Sequence, residues 1–257
     1  MMANMLLVAR RELLSLLVSP FSYVIAAAFF TVNGLFFWLF VGHPDLRGNF
    51  ELIVQLFFSW WGFWFFAIFI PPLVTMKLLA DEFRLGTIEM LMTAPSSDAS
   101  VVLGKYLASV AYAVALWAPT LLFFAISAGH GGSFDWGVVG SGYLAAILVY
   151  ALFMAIGLFT SALTETPILS AFLAIVIEVA LFFMIFLKDW LRGSAIAGWI
   201  GGTEVVDTLS DRYAIYNVVS ETFMKGVVDS VHLVFFLSFA GLFLFGATRS
   251  LEFRRWR

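Results

Sequence analysis

The stretch VVGSGYLAAILVYALFMAIGLFTSALT, Val138 to Thr164, runs without one Asp, Glu, Lys or Arg. A helix crosses the hydrocarbon core of a bilayer with about 20 apolar residues, whereas a membrane β-strand needs only about 9–11. Backbone N–H and C=O groups have no water to bond there, so a run of this length predicts a transmembrane helix. Runs of the same kind recur on both sides of it: Pro20 to Val41, Leu52 to Met76, Val101 to Ala128, Ile168 to Leu187 and Val231 to Ala247. The fold class that follows is all-α, a polytopic membrane protein of about six spans forming one transmembrane domain over 1–257, with no internal repeat and no separate soluble domain.

Composition agrees. Apolar residues make up 62% of the 257 and charged ones 12%, with a mean hydropathy of +0.99, far outside the range of soluble domains. A net charge of −3 offers no general attraction to nucleic acid. With no cysteine, disulfides, thiolate metal sites and cysteine nucleophiles are excluded.

Ahead of the first span, residues 5–19 are short and amphipathic. Arg11, Ser15 and Ser19 recur at helical spacing among leucines, which predicts a helix lying at the membrane surface. Arg10 and Arg11 before an apolar stretch also suit a signal peptide, but the apolar run continues to Val41, too long for one, so a retained anchor is expected. Pro71, Pro72 and Pro119 remove backbone donors inside spans and predict kinks. Trp60, Trp61 and Trp64 read as packing or interfacial anchors.

Positive charge sets the orientation. With the N-terminus inside, nine Lys and Arg fall on the cytoplasmic side and five on the other, four of those five in one long connection. Both termini are therefore expected in the cytoplasm. The basic tail Arg249, Arg254, Arg255 and Arg257 reads most simply as a topology anchor facing anionic lipid.

Two connections are long enough to carry structure of their own. In the external one, 188–230, Ala195 to Gly202 and Tyr213 to Met224 are too short to span and suit re-entrant or interfacial pieces. In the cytoplasmic one, 77–100, the second span overruns the membrane and stops at Gly86. Thr87 then caps a new helix of about two turns, with Glu89 in its first turn and Pro95 at its end. On their own, the charges Asp81, Glu82 and Arg84 beside this helix also fit a solvated loop.

The sequence LLADEFRLGTIEMLMTAPSSDASVVLGKYLAS resembles the signature stretch of ABC transporter permeases of the type-2 class: two acidic residues, Arg, Gly-Thr-x-Glu, Leu-x-Thr-x-Pro, then Gly-Lys. The opening RRELLSLLVSPFSYVIAAAFFTVNGLFF and the closing FMKGVVDSVHLVFFLSFAGLFLFGATRSLEFRRWR are similar to the gliding-motility permease (GldF-like) subgroup. The resemblance implies the permease half of an ATP-driven exporter, with ATP and Mg bound by two copies of a separate ATPase subunit. Two permease halves would pair as a homodimer or as a heterodimer with a related chain. It further implies that the N-terminal amphipathic helix and the short helix after the second span meet the ATPase, which makes Asp81, Glu82, Arg84, Gly86, Thr87 and Glu89 the candidate coupling residues. The external segment would form small re-entrant helices.

The residues themselves offer no P-loop for ATP. A P-loop ends in Gly-Lys-Ser/Thr, yet the four lysines precede Leu78, Tyr106, Asp189 and Gly226. His43, His130 and His232 lack metal-ligand spacing, and neither a His-Glu-x-x-His helix nor a Gly-x-Ser-x-Gly elbow occurs. No catalytic, metal or cofactor residue is expected. Glu178, midway along the fifth span, is the candidate intramembrane functional carboxylate, since a charge there costs at least about 2.5 kcal/mol. Its plainer reading is a protonated or hydrogen-bonded carboxyl packed on another helix. Two other classes remain open at this level: an ATP-independent transporter or channel built on Glu178, and a membrane scaffold of a larger assembly.

Overall fold

A computed structural model of the chain describes residues 2–46, 48–86, 97–192 and 214–255. All regular structure among them is helical, and six helical stretches are long and apolar enough to cross a membrane. In chain order these residues form α1 (Met2–Val18), α2 (Pro20–Gly42), α3 (Phe50–Ser59), α4 (Trp61–Thr75), α5 (Ala80–Arg84), α6 (Asp98–Trp117), α7 (Leu121–Gly129), α8 (Trp136–Leu163), α9 (Pro167–Arg192) and α10 (Ser230–Arg255). The first span is α2, the second α3 with α4 and α5, the third α6 with α7, and the last three are α8, α9 and α10.

The run that opened the sequence reading, α8, is the central helix. Of its most apolar 18 residues 78% are buried, against 22% for those of α2. It packs against α4, α6, α9 and α10, and small residues let those backbones close on it: Ala145, Ala146, Ala155 and Ala162 are fully buried. At Gly157 an added Cβ would run into the Thr75 hydroxyl, so only glycine permits this contact with α4. Around Trp117 of α6 an aromatic cluster fills the space between α2, α3, α4 and α8, with Phe29, Phe57, Phe63 and Tyr150 rings at 5.0, 6.3, 5.7 and 5.8 Å.

The second span, expected to kink at its prolines, breaks earlier, at Trp60. Asn49 caps α3 by accepting from the Leu52 N–H at 3.1 Å. Trp60 then turns extended, its indole covering Gly62, where any Cβ would clash, and packing on Phe40. Beyond it α4 runs through Pro71 and Pro72 to Thr75, whose hydroxyl donates to the Pro71 carbonyl at 2.7 Å. Pro119 has the expected effect: a 3-10 turn, Ala118–Thr120, separates α6 from α7.

The last helix outruns the predicted span by two turns. Its polar end finds partners on the end of α8: Ser250 donates to the Ala162 carbonyl at 3.1 Å and Arg254 to the Leu163 carbonyl at 2.8 Å. Arg254, read in sequence only as part of a basic anchor, thus also satisfies a carbonyl at the C-terminus of α8 that would otherwise lack a donor. Arg254 also bridges to Glu165 at 3.2 Å and lies 4.3 Å over the Phe83 ring of α5. Both ends of the chain thus come to the same end of the bundle.

At the opposite end, residues 214–225 form short helical turns, Ile215–Asn217, Val218–Thr222 and Phe223–Lys225. They bury Ile215, Val218, Val219 and Phe223, and the Ser141 hydroxyl of α8 donates to the Phe223 carbonyl at 2.7 Å. This matches the non-spanning piece expected from Tyr213 to Met224. The piece expected at Ala195 to Gly202 lies outside the described residues.

Candidate functional site

Three elements meet where the bundle gathers both chain ends. Helix α1 packs along α6 and comes close to it at Gly104, where a Cβ would stand 2.8 Å from the Met5 carbonyl oxygen and 2.9 Å from the Val8 Cβ. The absence of a side chain at Gly104 is what brings Glu12 of α1 over the first turns of α6. There Lys105, only 1% exposed, places its Nζ 3.2 Å from Glu12 Oε1 and 2.7 Å from Glu82 Oε1 on α5. One ammonium therefore ties together the N-terminal helix, the extension of the second span and the start of the third.

The electrostatics favour the ionised pair. Burial pushes the Glu12 carboxyl upward, but the Lys105 charge and hydrogen bonds from Arg11 and Lys105 outweigh it, so Glu12 is held below its usual range. The same Arg11 contact, 2.7 Å, holds the guanidinium above its usual value. A buried lysine with two carboxylates is costly to break by removing one partner, because the remaining charge is left desolvated.

Helix α5 is held from the other side by α8. Ser161 Oγ accepts the N–H groups of Leu79 and Ala80 at 3.1 and 3.0 Å, and donates to the Met76 carbonyl at 3.1 Å. This hydroxyl satisfies donors at the turn where α4 ends and α5 begins, the reason the chain can turn sharply there.

Of the residues singled out in sequence, Glu82 joins this triad. Asp81 and Arg84 pair with one another at 2.9 Å, one turn apart on α5. Gly86 follows α5 with φ of +70°, the left-handed conformation of a helix stop that favours glycine. Thr87 and Glu89, with the helix expected from them, lie outside the described residues. Glu12, Lys105 and Ser161 were not singled out as site residues, and Arg254 was read only as part of the basic tail. Gly104-Lys105 closes the signature stretch, which is the one trace of them in the sequence; the partner Glu12 is 93 residues away and no spacing points to it.

Glu178 lies far from this triad along the fold, on α9. It is fully buried, and among the described residues neither carboxyl oxygen has a hydrogen-bond partner. Tyr150 of α8 is likewise fully buried. Among the described residues no group of His, Cys, Asp and Glu is arranged to hold a metal ion.

No curated protein matches the sequence. The family model of ABC-2 family transporter proteins matches residues 9–201, a range that holds Glu12, Glu82, Lys105 and Glu178. That match covers well over half of the chain, and with six apolar helices, α8 the most buried of them, it leads to one conclusion: the chain belongs to the ABC-2 family of transporter proteins.

Proposed function

We propose that this chain is the permease subunit of an ATP-driven exporter and that the Lys105 triad passes movement of a separate ATPase subunit into the spans. The single observation that carries the reading is that Lys105 joins α1 and α5 to α6. A push on either peripheral element moves the third span through one ion-paired centre, and α6 in turn packs on the central α8. The ATPase binds ATP and Mg; in this reading two ATPase copies serve two permease halves, identical or related. Both termini and the α5 end face the cytoplasm, where the ATPase docks on α1, α5 and the segment with Thr87 and Glu89. The opening and closing sequences favour a gliding-motility-like subgroup.

The test is purification of the tagged full chain in detergent, with mass spectrometry of the co-purifying proteins and an ATPase assay of the eluate. A P-loop subunit that is recovered with wild type and lost with Glu89→Lys supports the reading. A chain that purifies alone and carries protons or cations in liposomes overturns it. That second outcome belongs to an ATP-independent transporter, favoured by the unpartnered Glu178 carboxyl.

A further inference from the structure

With five residues, α5 is too short to be stable as a helix by itself, so its neighbours set its position. Lys105 of α6 holds Glu82, and Ser161 of α8 holds the N–H groups of Leu79 and Ala80. A third grip comes from the last helix. Phe83 follows Glu82, so its side chain leaves α5 about 100° further round, and there the Arg254 guanidinium of α10 lies 4.3 Å over its ring. The edge of the same guanidinium is in use as well: Nη2 donates to the Leu163 carbonyl at 2.8 Å and Nη1 to Glu165 Oε1 at 3.2 Å.

The chemistry of arginine suits three partners at once. Its N–H groups point outward in the guanidinium plane, whereas an aromatic ring attracts the cation through its flat face. One planar group therefore serves the end of α8, the connection from α8 to α9, and α5. The three contacts are unequal. The Glu165 side chain is 73% exposed, and an ion pair so placed contributes little, which leaves the carbonyl and the ring to hold the guanidinium. Nor is Arg254 needed to dock α10 on α8: the two helices pack together, and Ser250, one turn earlier, already donates to the Ala162 carbonyl. What Arg254 adds to that docking is Phe83, and with it α5.

We propose that Arg254 is a positioning residue of the coupling site: through Phe83 it makes α5 and the end of α10 move as one body. A push on α5 then reaches α8 and α10 directly, and α6 separately through Lys105. The proposal rests on the reading of α5 as an element that the ATPase moves.

The absence of cysteine allows spin labels on cysteines introduced at the exposed Leu85 and Phe253, which report the distance between α5 and α10. The full chain is measured in detergent, alone and with its co-purifying ATPase, the latter without nucleotide and trapped with ATP and vanadate. In wild type the distance distribution is narrow and the same in every state. Arg254→Ala and Phe83→Leu broaden it, and a nucleotide-dependent shift appears. Phe83→Tyr keeps the ring and Glu165→Gln keeps both the ring and the carbonyl contact, so both behave as wild type. A nucleotide-dependent shift in wild type, a narrow distribution in a monodisperse Arg254→Ala or Phe83→Leu, or broadening by Glu165→Gln equal to that by Arg254→Ala would each overturn the proposal. Recovery of no ATPase with wild type would overturn the permease reading and the coupling role with it; that failure is told apart because the widths measured on the chain alone still follow Arg254 and Phe83.

Discussion

Lys105 Nζ and Glu82 Oε1 stand 2.7 Å apart, although 23 residues separate them and they belong to different helices. Glu12 completes the site from α1 at 3.2 Å. A buried ammonium shared by two carboxylates is strong only while all three are present, and that asymmetry gives the first test. Lys105→Met leaves two carboxylates facing each other beside apolar wall and costs about 3 kcal/mol of stability. Glu12→Gln, which keeps one carboxylate for the lysine, costs less. Thermal unfolding in detergent measures both, and a double-mutant cycle of the two substitutions returns a coupling of about 1–3 kcal/mol. A coupling near zero would mean that the ion pair holds nothing together.

The helix contact at Gly104 makes a steric prediction. Gly104→Val places a branched side chain where the Met5 carbonyl and Val8 already sit, so α1 must lift from α6 and the Glu12 to Lys105 contact is lost. In the proposed transporter the ATPase is then retained less well on the purified chain. Gly104→Ala, with a single methyl, gives an intermediate loss. Unchanged ATPase recovery with Gly104→Val would detach α1 from the docking surface.

Acid should release α1 as well. Glu12 titrates below its usual range in the folded protein, so its contribution is fully present above the usual glutamate value of about 4.3 and is lost as pH falls through the lower folded value. The chain contains no cysteine, which allows spin labels on cysteines introduced at the exposed Arg10 and Leu107. The expected distance between them is constant from neutral pH to about 5 and broadens only in stronger acid. Broadening that sets in near neutrality would assign the contact to another group.

The exposed Arg84 pairs with the half-buried Asp81 on α5, and an ion pair with one end in water contributes about 0–1 kcal/mol. Arg84→Ala therefore leaves the fold nearly unchanged. If α5 transmits force, it still uncouples ATP hydrolysis from export, a loss of transport with hydrolysis retained. Equal losses of both activities, or neither, would restrict α5 to a structural role.

Glu178→Gln keeps the shape and the hydrogen-bonding capacity of a neutral carboxyl while removing any ability to ionise. For the Glu178-dependent reading, export falls although folding and ATPase recovery are intact. Wild-type export in the variant would make Glu178 a packed carboxyl and nothing more.

The bundle was open to reading in sequence because each span obeys a local constraint. Twenty uncharged residues such as those from Val138 onward have one stable form in a bilayer, since each must satisfy its own backbone. The same locality made the glycine stop at Gly86 and the proline break at Pro119 readable. Trp60 was not, because its break depends on Phe40 from another helix and on the missing side chain of Gly62. Nor was the full length of α10, whose last turns are held by carbonyls of α8.

Sequence alone therefore determined the fold class, the number of spans and the stretch that carries the family signature. Tertiary structure decided which charges work together. Glu82 was in view among the polar residues after the second span, but its meaning came from Lys105 and from Glu12, 93 residues before that lysine. Local propensity acts over a few residues and repeats, whereas an ion-paired centre is made by whichever helices the packing brings within about 4 Å. A glycine at 104 chose α1 as the neighbour of α6, and that close approach put the buried lysine between two carboxylates.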